Sequence, residues 1–258
     1  PDGDTEFHPE SPAGRFIAAR NPGARPRVSG RFVDPWEGRG GFGGSTAEFA
    51  MVAYRAGIRD ALEAWREYRK LSEGRPEVRR PSGVDLLAQW RGGTIEWNFE
   101  PDSVADLSNS VRDLPLLIFS ATHLPNRKTV THSHLETLAS GTLTFESLLP
   151  SLERARRGLS IRDWGEIGRA FSAYADSLAH LNLEAPAVRN ERLALSRLPS
   201  VLGAKGCGSL QTDAMLVVVD SLTGPAADSV VEFAERECGL RLISRGLQNE
   251  PGIREASR

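Results

Sequence analysis

The sequence is poor in the features that mark several large classes of protein. Cysteine occurs twice in 258 residues, as Cys207 and Cys238, which excludes a disulfide-stapled scaffold and points to a reducing compartment. The longest wholly apolar stretch, Ala214 to Val219, is far too short to span a bilayer. No basic-then-apolar leader opens the chain, so the reading is cytoplasmic, with no membrane association. A large net charge is also missing. Its 32 basic and 34 acidic residues leave a formal charge of -2, whereas a nucleic-acid binder ordinarily carries a basic surplus. What remains is an ordinary globular composition, 40% hydrophobic and 26% charged, with length for one large domain or two small ones.

Glycine and proline punctuate the chain. Residues 1–30 are rich in Pro, Gly and Arg without a sustained period and read as loop, with a short strand expected within Val28 to Asp34. Gly38 to Gly44 holds five glycines in seven residues. Ser45-Thr46-Ala47-Glu48 then reads as a capping box with Ser45 as N-cap. Phe49, Val52, Ala56, Ile58, Leu62, Trp65 and Tyr68 recur at roughly helical spacing and predict one helix over 46–71. Pro81-Ser82-Gly83 precedes a short helix at 84–90, and Thr94 to Phe99 alternates as a strand.

Farther along, Leu114 to Ser120 is an apolar run suited to a buried strand, and helices are expected over 131–139 and 144–157. Ser160 is the expected cap of a helix whose apolar face is Ile161, Trp164, Ile167, Phe171, Tyr174, Leu178 and Leu181. A helix near 187–197, a glycine loop from Gly203 to Gly208 and a strand from Ala214 to Asp220 follow. Pro225 sits where a helix N1 residue would, Gly239 just past that helix, and the last strand is Leu240 to Ser244. There is no internal repeat. The mix is α+β, with a boundary near residues 100–113.

Three segments are candidates for chemistry. In Gly40-Gly41-Phe42-Gly43-Gly44-Ser45-Thr46-Ala47 a glycine loop opens a long helix. Glycines allow close backbone approach, and free N–H groups at the helix start attract an anion. A serine there can offer its hydroxyl to magnesium, although no Walker A lysine is present. The same residues also suit a flexible loop with an ordinary cap. The second segment is Pro81-Ser82-Gly83-Val84-Asp85, followed by Gln89-Trp90-Arg91-Gly92-Gly93. Asp85 reads either as decoration of a helix start or, beside a phosphate loop, as the base that takes the proton of an attacking hydroxyl. The third is Gly203-Ala204-Lys205-Gly206-Cys207-Gly208-Ser209, either a second loop around phosphates or substrate, or a tight turn between helix and strand.

In this order the three segments resemble the GHMP kinases, the family of galactokinase, homoserine kinase, mevalonate kinase and phosphomevalonate kinase. Gly41-Phe42-Gly43-Gly44-Ser45-Thr46-Ala47 is similar to the family's Gly-Leu-Gly-Ser-Ser-Ala-Ala loop, with Gly44 where the first serine is usual. The Pro-Ser-Gly-Val-Asp element looks most like the mevalonate and phosphomevalonate kinase branch. Gly203 to Gly208 resembles the late glycine motif, with Lys205 and Cys207 in place of glycines.

The resemblance covers about residues 27–245. It implies a two-domain α+β fold, with residues 1–110 like the second domain of ribosomal protein S5 and residues 111–258 ferredoxin-like. It also implies ATP-dependent phosphorylation of a hydroxyl or phosphate on a mevalonate-like small molecule, with ATP and Mg2+ as cofactors. Asp85 would be the catalytic base. Gly41, Gly43, Gly44, Ser45 and Thr46 would hold the ATP phosphates, with Ser45 on magnesium. Gly203, Ala204, Gly206 and Gly208 would close the site on the substrate. The family's N-terminal Pro-Gly-Lys and Gly-Glu-His type segment, with a lysine often paired with the aspartate, is not found, so either it lies outside the given sequence or the first domain is cut down and lacks its first strands. Glu73 and Glu77 are the candidates for a magnesium glutamate, neither at the expected spacing.

Smaller features carry less. Lys128 and Thr129, in Asn126-Arg127-Lys128-Thr129, are candidate contacts for an anionic substrate, although such clusters often mark a solvated helix start. His132 and His134 would point apart on a helix and have no evident third ligand. A homodimer is compatible with this reading. A ligand- or partner-binding relative without catalysis is the alternative in a different class.

Overall fold

The computed structural model describes residues 4–23, 25, 27–33, 43–73, 81–98, 103–121, 146–208, 211–248 and 250–254. The chain divides into two compact units. Of the described residues, those from 4 to 108 and from 248 to 254 make the first, and those from 109 to 247 the second.

In the first unit, β1 (Asp4–Glu6) pairs antiparallel with β2 (Arg27–Ser29), Thr5 opposite Val28. Between them lies α1 (Pro12–Arg20), a helix where a loop is expected from composition. It forms because the Ser11 side chain accepts the Gly14 N–H and Pro12 occupies the first turn, where its missing N–H costs nothing. The helix expected over 46–71 is two helices, α2 (Gly44–Arg55) and α3 (Ala61–Lys70). Gly57 breaks them apart at φ +96°, and Asp60 starts the second by accepting the Glu63 N–H.

The helix α4 (Val84–Arg91) and the hairpin of β3 (Ile95–Asn98) with β4 (Ser103–Asp106) complete the first unit's framework. Residues 250–254 are tied to the end of α4, since Gly93 N–H donates to Glu250 O and Ile253 N–H to Trp90 O. Phe49, fully buried, centres the core. Its ring meets Phe16 edge-on at 5.2 Å and Tyr68 at 5.1 Å.

The short helix α5 (Ser108–Val111) begins at residue 108 of the first unit and continues into the sequence of the second. There β5 (Leu116–Ser120), α6 (Leu149–Ile161), α7 (Trp164–His180), α8 (Pro186–Leu195), β6 (Val201–Cys207), β7 (Ala214–Val219), α9 (Pro225–Glu237) and β8 (Arg241–Arg245) follow in order. The sheet is antiparallel, with strand order β6-β7-β5-β8. That order, with helices after the first and third strands, is the ferredoxin-like βαββαβ arrangement.

Both sheet faces are covered. Leu116, Val218 and Ile167 of α7 share one cluster; Leu117, Phe119, Val188 of α8 and Val230 of α9 share another. Burial on two faces explains why β5 and β7 read as unbroken apolar runs rather than alternating ones. The cap of α7 is Asp163, whose side chain accepts the Glu166 N–H, and not Ser160, which donates back to Arg157 O near the end of α6. Ile161, expected on the apolar face, is 67% exposed. The helix expected over 131–139 lies outside the described residues. Among the described residues, no helix is long and apolar enough to cross a membrane.

Candidate functional site

Two helix N-termini in the first unit meet at one carboxylate. Both helices open on a glycine in the left-handed conformation with no side-chain cap, Gly43 (φ 73°) before α2 and Gly83 (φ 71°) before α4. A side chain at either position would be strained, and a Cβ on Gly83 would come within 2.8 Å of Trp65 Cδ1. Ser45 is therefore not the cap. It is the second residue of α2 and is exposed. The N–H groups of Gly44, Ser45 and Thr46 precede the first intrahelical bond, Ala47 N–H to Gly43 O at 2.9 Å. No acidic residue stands in the first turn of α2, whereas α3 and α7 carry Glu63 and Glu166 there. Among the described residues, the first turn of α2 thus supplies no carboxylate of its own to a helix start that favours an anion.

Asp85 lies in the first turn of α4 and is exposed. Its Oδ2 lies 2.9 Å from the hydroxyl of Thr46, which is 1% exposed. The same hydroxyl is 2.7 Å from Gly43 O. Gln89, one turn beyond Asp85 on the same face of α4, donates from Nε2 to Gly43 O at 2.9 Å. Its Oε1 is buried without a hydrogen-bond partner among the described residues.

Gly43, Gly44, Ser45, Thr46 and Asp85 are thus brought together, with Thr46 turned inward. Gln89 takes part as well. Its i, i+4 relation to Asp85 is visible in the sequence, but the long-range contact to Gly43 is not. Gly41, Lys128, Thr129, His132, His134 and Glu77 lie outside the described residues. Glu73 is exposed just beyond α3. Among the described residues, no three His, Cys, Asp or Glu side chains cluster as a metal site.

Tyr68 of α3 also senses this carboxylate. Its hydroxyl is pushed up from 10.0 to about 12, first by burial and then by the negative charge of Asp85. A tyrosine with a raised folded value contributes stability that is complete below its unfolded value and is lost as pH rises through the folded one. Stability should therefore fall between pH about 10 and about 12, by at most about 3 kcal/mol from this group. Urea midpoints measured across that range should show the fall in the native protein and a flatter curve in Tyr68→Phe; parallel curves would refute the assignment.

The late glycine segment, in the second unit, is a strand through Cys207 rather than the expected loop. Gly203 and Ala204 lie in β6, and a Cβ on Gly203 would strike the backbone of Gly168 in α7. That glycine serves a backbone-to-backbone approach of helix and strand. Gly206 faces the backbone of Gln211, and only Gly208, at φ 83°, is a turn glycine. Lys205 Nζ lies 5.3 Å from the Tyr174 ring centre, 5.8 Å from that of Phe171 and 3.6 Å from Cys207 Sγ. Both cysteines are free thiols. A separate depression of about 420 Å³, lined by Met51, Tyr54, Arg55, Arg59, Ile253 and Arg254, lies at the opposite end of α2.

No family model matches this sequence, and no curated protein does. Solved structures match at low identity. L. major mevalonate kinase, solved with R-mevalonate, is 15% identical with TM-score 0.54, covering 77% of this chain and 64% of its own. Lactococcus lactis galactokinase, solved with galactose, is 12% identical with TM-score 0.61, covering 96% and 78%. Streptococcus pneumoniae phosphomevalonate kinase is 14% identical with TM-score 0.60, covering 93% and 81%. The chain thus spans less than two thirds of the first of these enzymes and about four fifths of the other two. Its mixed helix-and-sheet fold is that of the GHMP kinases.

Proposed function

We propose that this protein is an ATP-dependent kinase that transfers the γ-phosphate to a hydroxyl or phosphate of a small, mevalonate-like molecule. The observation that carries this reading is the 2.9 Å contact of Thr46 with Asp85. It sets an exposed carboxylate beside the N-terminus of α2, whose cap residue Gly43 offers no side chain. The residues present fit the nucleotide. The N–H groups of Gly44, Ser45 and Thr46, which precede the first bond within α2, would hold phosphate oxygens, and the exposed Ser45 hydroxyl would serve a magnesium ion, which needs few protein ligands when phosphates supply the rest. Bound Mg2+-ATP supplies the transferable phosphoryl group and neutralises its developing charge. Asp85 accepts the proton of the attacking hydroxyl, and positioning does most of the remaining work.

The substrate assignment rests on the Pro81-Ser82-Gly83-Val84-Asp85 resemblance alone. Phosphomevalonate or a sugar is its rival, and ligand binding without catalysis is the alternative. Mg2+-ATP at 100 times its dissociation constant should stabilise the protein by about 2.7 kcal/mol, raising Tm by several degrees. ADP release with mevalonate, phosphomevalonate, galactose and homoserine, side by side, identifies the acceptor. No thermal shift at millimolar Mg2+-ATP would defeat the reading. A shift without turnover of any acceptor would favour the non-catalytic alternative.

A further inference from the structure

We propose that Thr46 is the positioning residue of Asp85 rather than a side-chain ligand of the nucleotide: its hydroxyl fixes Oδ2 and leaves Oδ1 for the attacking hydroxyl. This rests on the reading of Asp85 as the base.

The Thr46 hydroxyl has one proton and two acceptors in reach, Asp85 Oδ2 at 2.9 Å and Gly43 O at 2.7 Å. The carbonyl already receives two N–H donors, from Ala47 and from Gln89 Nε2, each at 2.9 Å. Its two lone pairs are therefore engaged, and a bond to a carboxylate is the stronger of the two on offer. The proton of Thr46 goes to Asp85.

Direction follows from the backbone. Thr46 stands in the first turn of α2, its side chain is buried, and a β-branched residue in a helix has few χ1 choices. Asp85 is exposed and would otherwise sample several rotamers. A hydroxyl anchored in the buried face removes that freedom from one carboxylate oxygen and aims the other.

In the reaction the O–H bond of the substrate breaks, an O–H bond to Asp85 Oδ1 forms, and the electron pair stays on the substrate oxygen as nucleophile. The carboxyl is then neutral and its pull on Thr46 weakens, but Oδ2, now the carbonyl oxygen of the acid, still accepts at the 2.9 Å contact. The hydroxyl thus has a partner before and after proton transfer.

The test uses the full chain. Thr46→Val keeps the shape and removes the hydroxyl. It leaves Gly43 O with two donors and Asp85 in water, so the thermal midpoint should stay near that of the native protein. Misplacement of a catalytic group by about 1 Å can cost about a hundredfold, so kcat should drop by about tenfold to a hundredfold with KM for ATP unchanged. Thr46→Ser should restore kcat to within about threefold, since it returns the hydroxyl.

A second readout needs no turnover. The side-chain carboxyl 13C resonance of Asp85, identified by its loss in Asp85→Asn, should move in Thr46→Val and stay in place in Thr46→Ser. A raised KM for ATP with intact kcat in Thr46→Val would make Thr46 a nucleotide ligand and overturn the proposal. A carboxyl resonance indifferent to Thr46→Val would overturn it as well. An inactive native protein whose resonance still moves keeps the contact and instead removes the kinase reading.

Discussion

Asp85→Asn should lower kcat by about a hundredfold to ten-thousandfold, the usual cost of losing a general base, while the stabilisation by Mg2+-ATP persists. The substitution keeps the size of the side chain and an oxygen for the Thr46 hydroxyl at the 2.9 Å contact. It removes the charge that can receive a proton. The groups assigned to the phosphates belong to α2 and not to α4, so nucleotide binding is spared. Ser45→Ala should act in the opposite sense, weakening Mg2+-ATP. Because Gly43 and not Ser45 caps α2, it should do so without the loss of about 1 kcal/mol that removing a helix cap brings. Turnover and thermal shift measured on the same preparations separate the two. Near-normal turnover in Asp85→Asn, in a protein shown to be a kinase, would mean that another group is the base. A variant that cannot fold would make Asp85 a structural residue of the α4 start.

Much of this arrangement is legible in the sequence because local signals and tertiary packing agree. Gly83 and the apolar spacing after it place α4 and put Asp85 in its first turn. The apolar runs around Leu117 and Val217 are strands buried on both faces. Where the expectations differ, a competing signal is usually present. Gly57 followed by Asp60-x-x-Glu63 marks the end of α2 and the start of α3, yet the apolar residues of both helices face one core and mimic a single period. Asp163-x-x-Glu166 is a better cap signature than Ser160. Ser11-Pro12 announces α1 within a proline- and glycine-rich stretch. Gly203 misleads for a different reason: a glycine needed for the approach of α7 looks, in one dimension, like a glycine needed for a loop. The turn of Thr46 toward Asp85 is beyond local reasoning, since that carboxylate is 39 residues away on another helix.

The buried ion network of the second unit lacks even such a local signal, and removing only one of its buried charges should cost that unit heavily. Arg192 of α8 is 1% exposed and donates from Nε and Nη2 to the two oxygens of Glu184, at 2.8 and 3.0 Å. Nη2 also meets Asp176 of α7 at 2.8 Å. The Glu184 side chain is fully buried, whereas that of Asp176 is 54% exposed. The energetics are therefore asymmetric. Arg192→Met leaves the Asp176 carboxylate to water but strands that of Glu184 in the interior, and an orphaned buried charge costs about 3–5 kcal/mol. The double variant Arg192→Met, Glu184→Met removes both charges and fills the space with apolar atoms, which in other buried pairs is neutral or stabilising. Urea unfolding should therefore place the single variant well below the native protein and the double variant close to it. If the double variant is as unstable as the single one, the guanidinium is holding α7 and α8 together through Asp176 rather than neutralising Glu184.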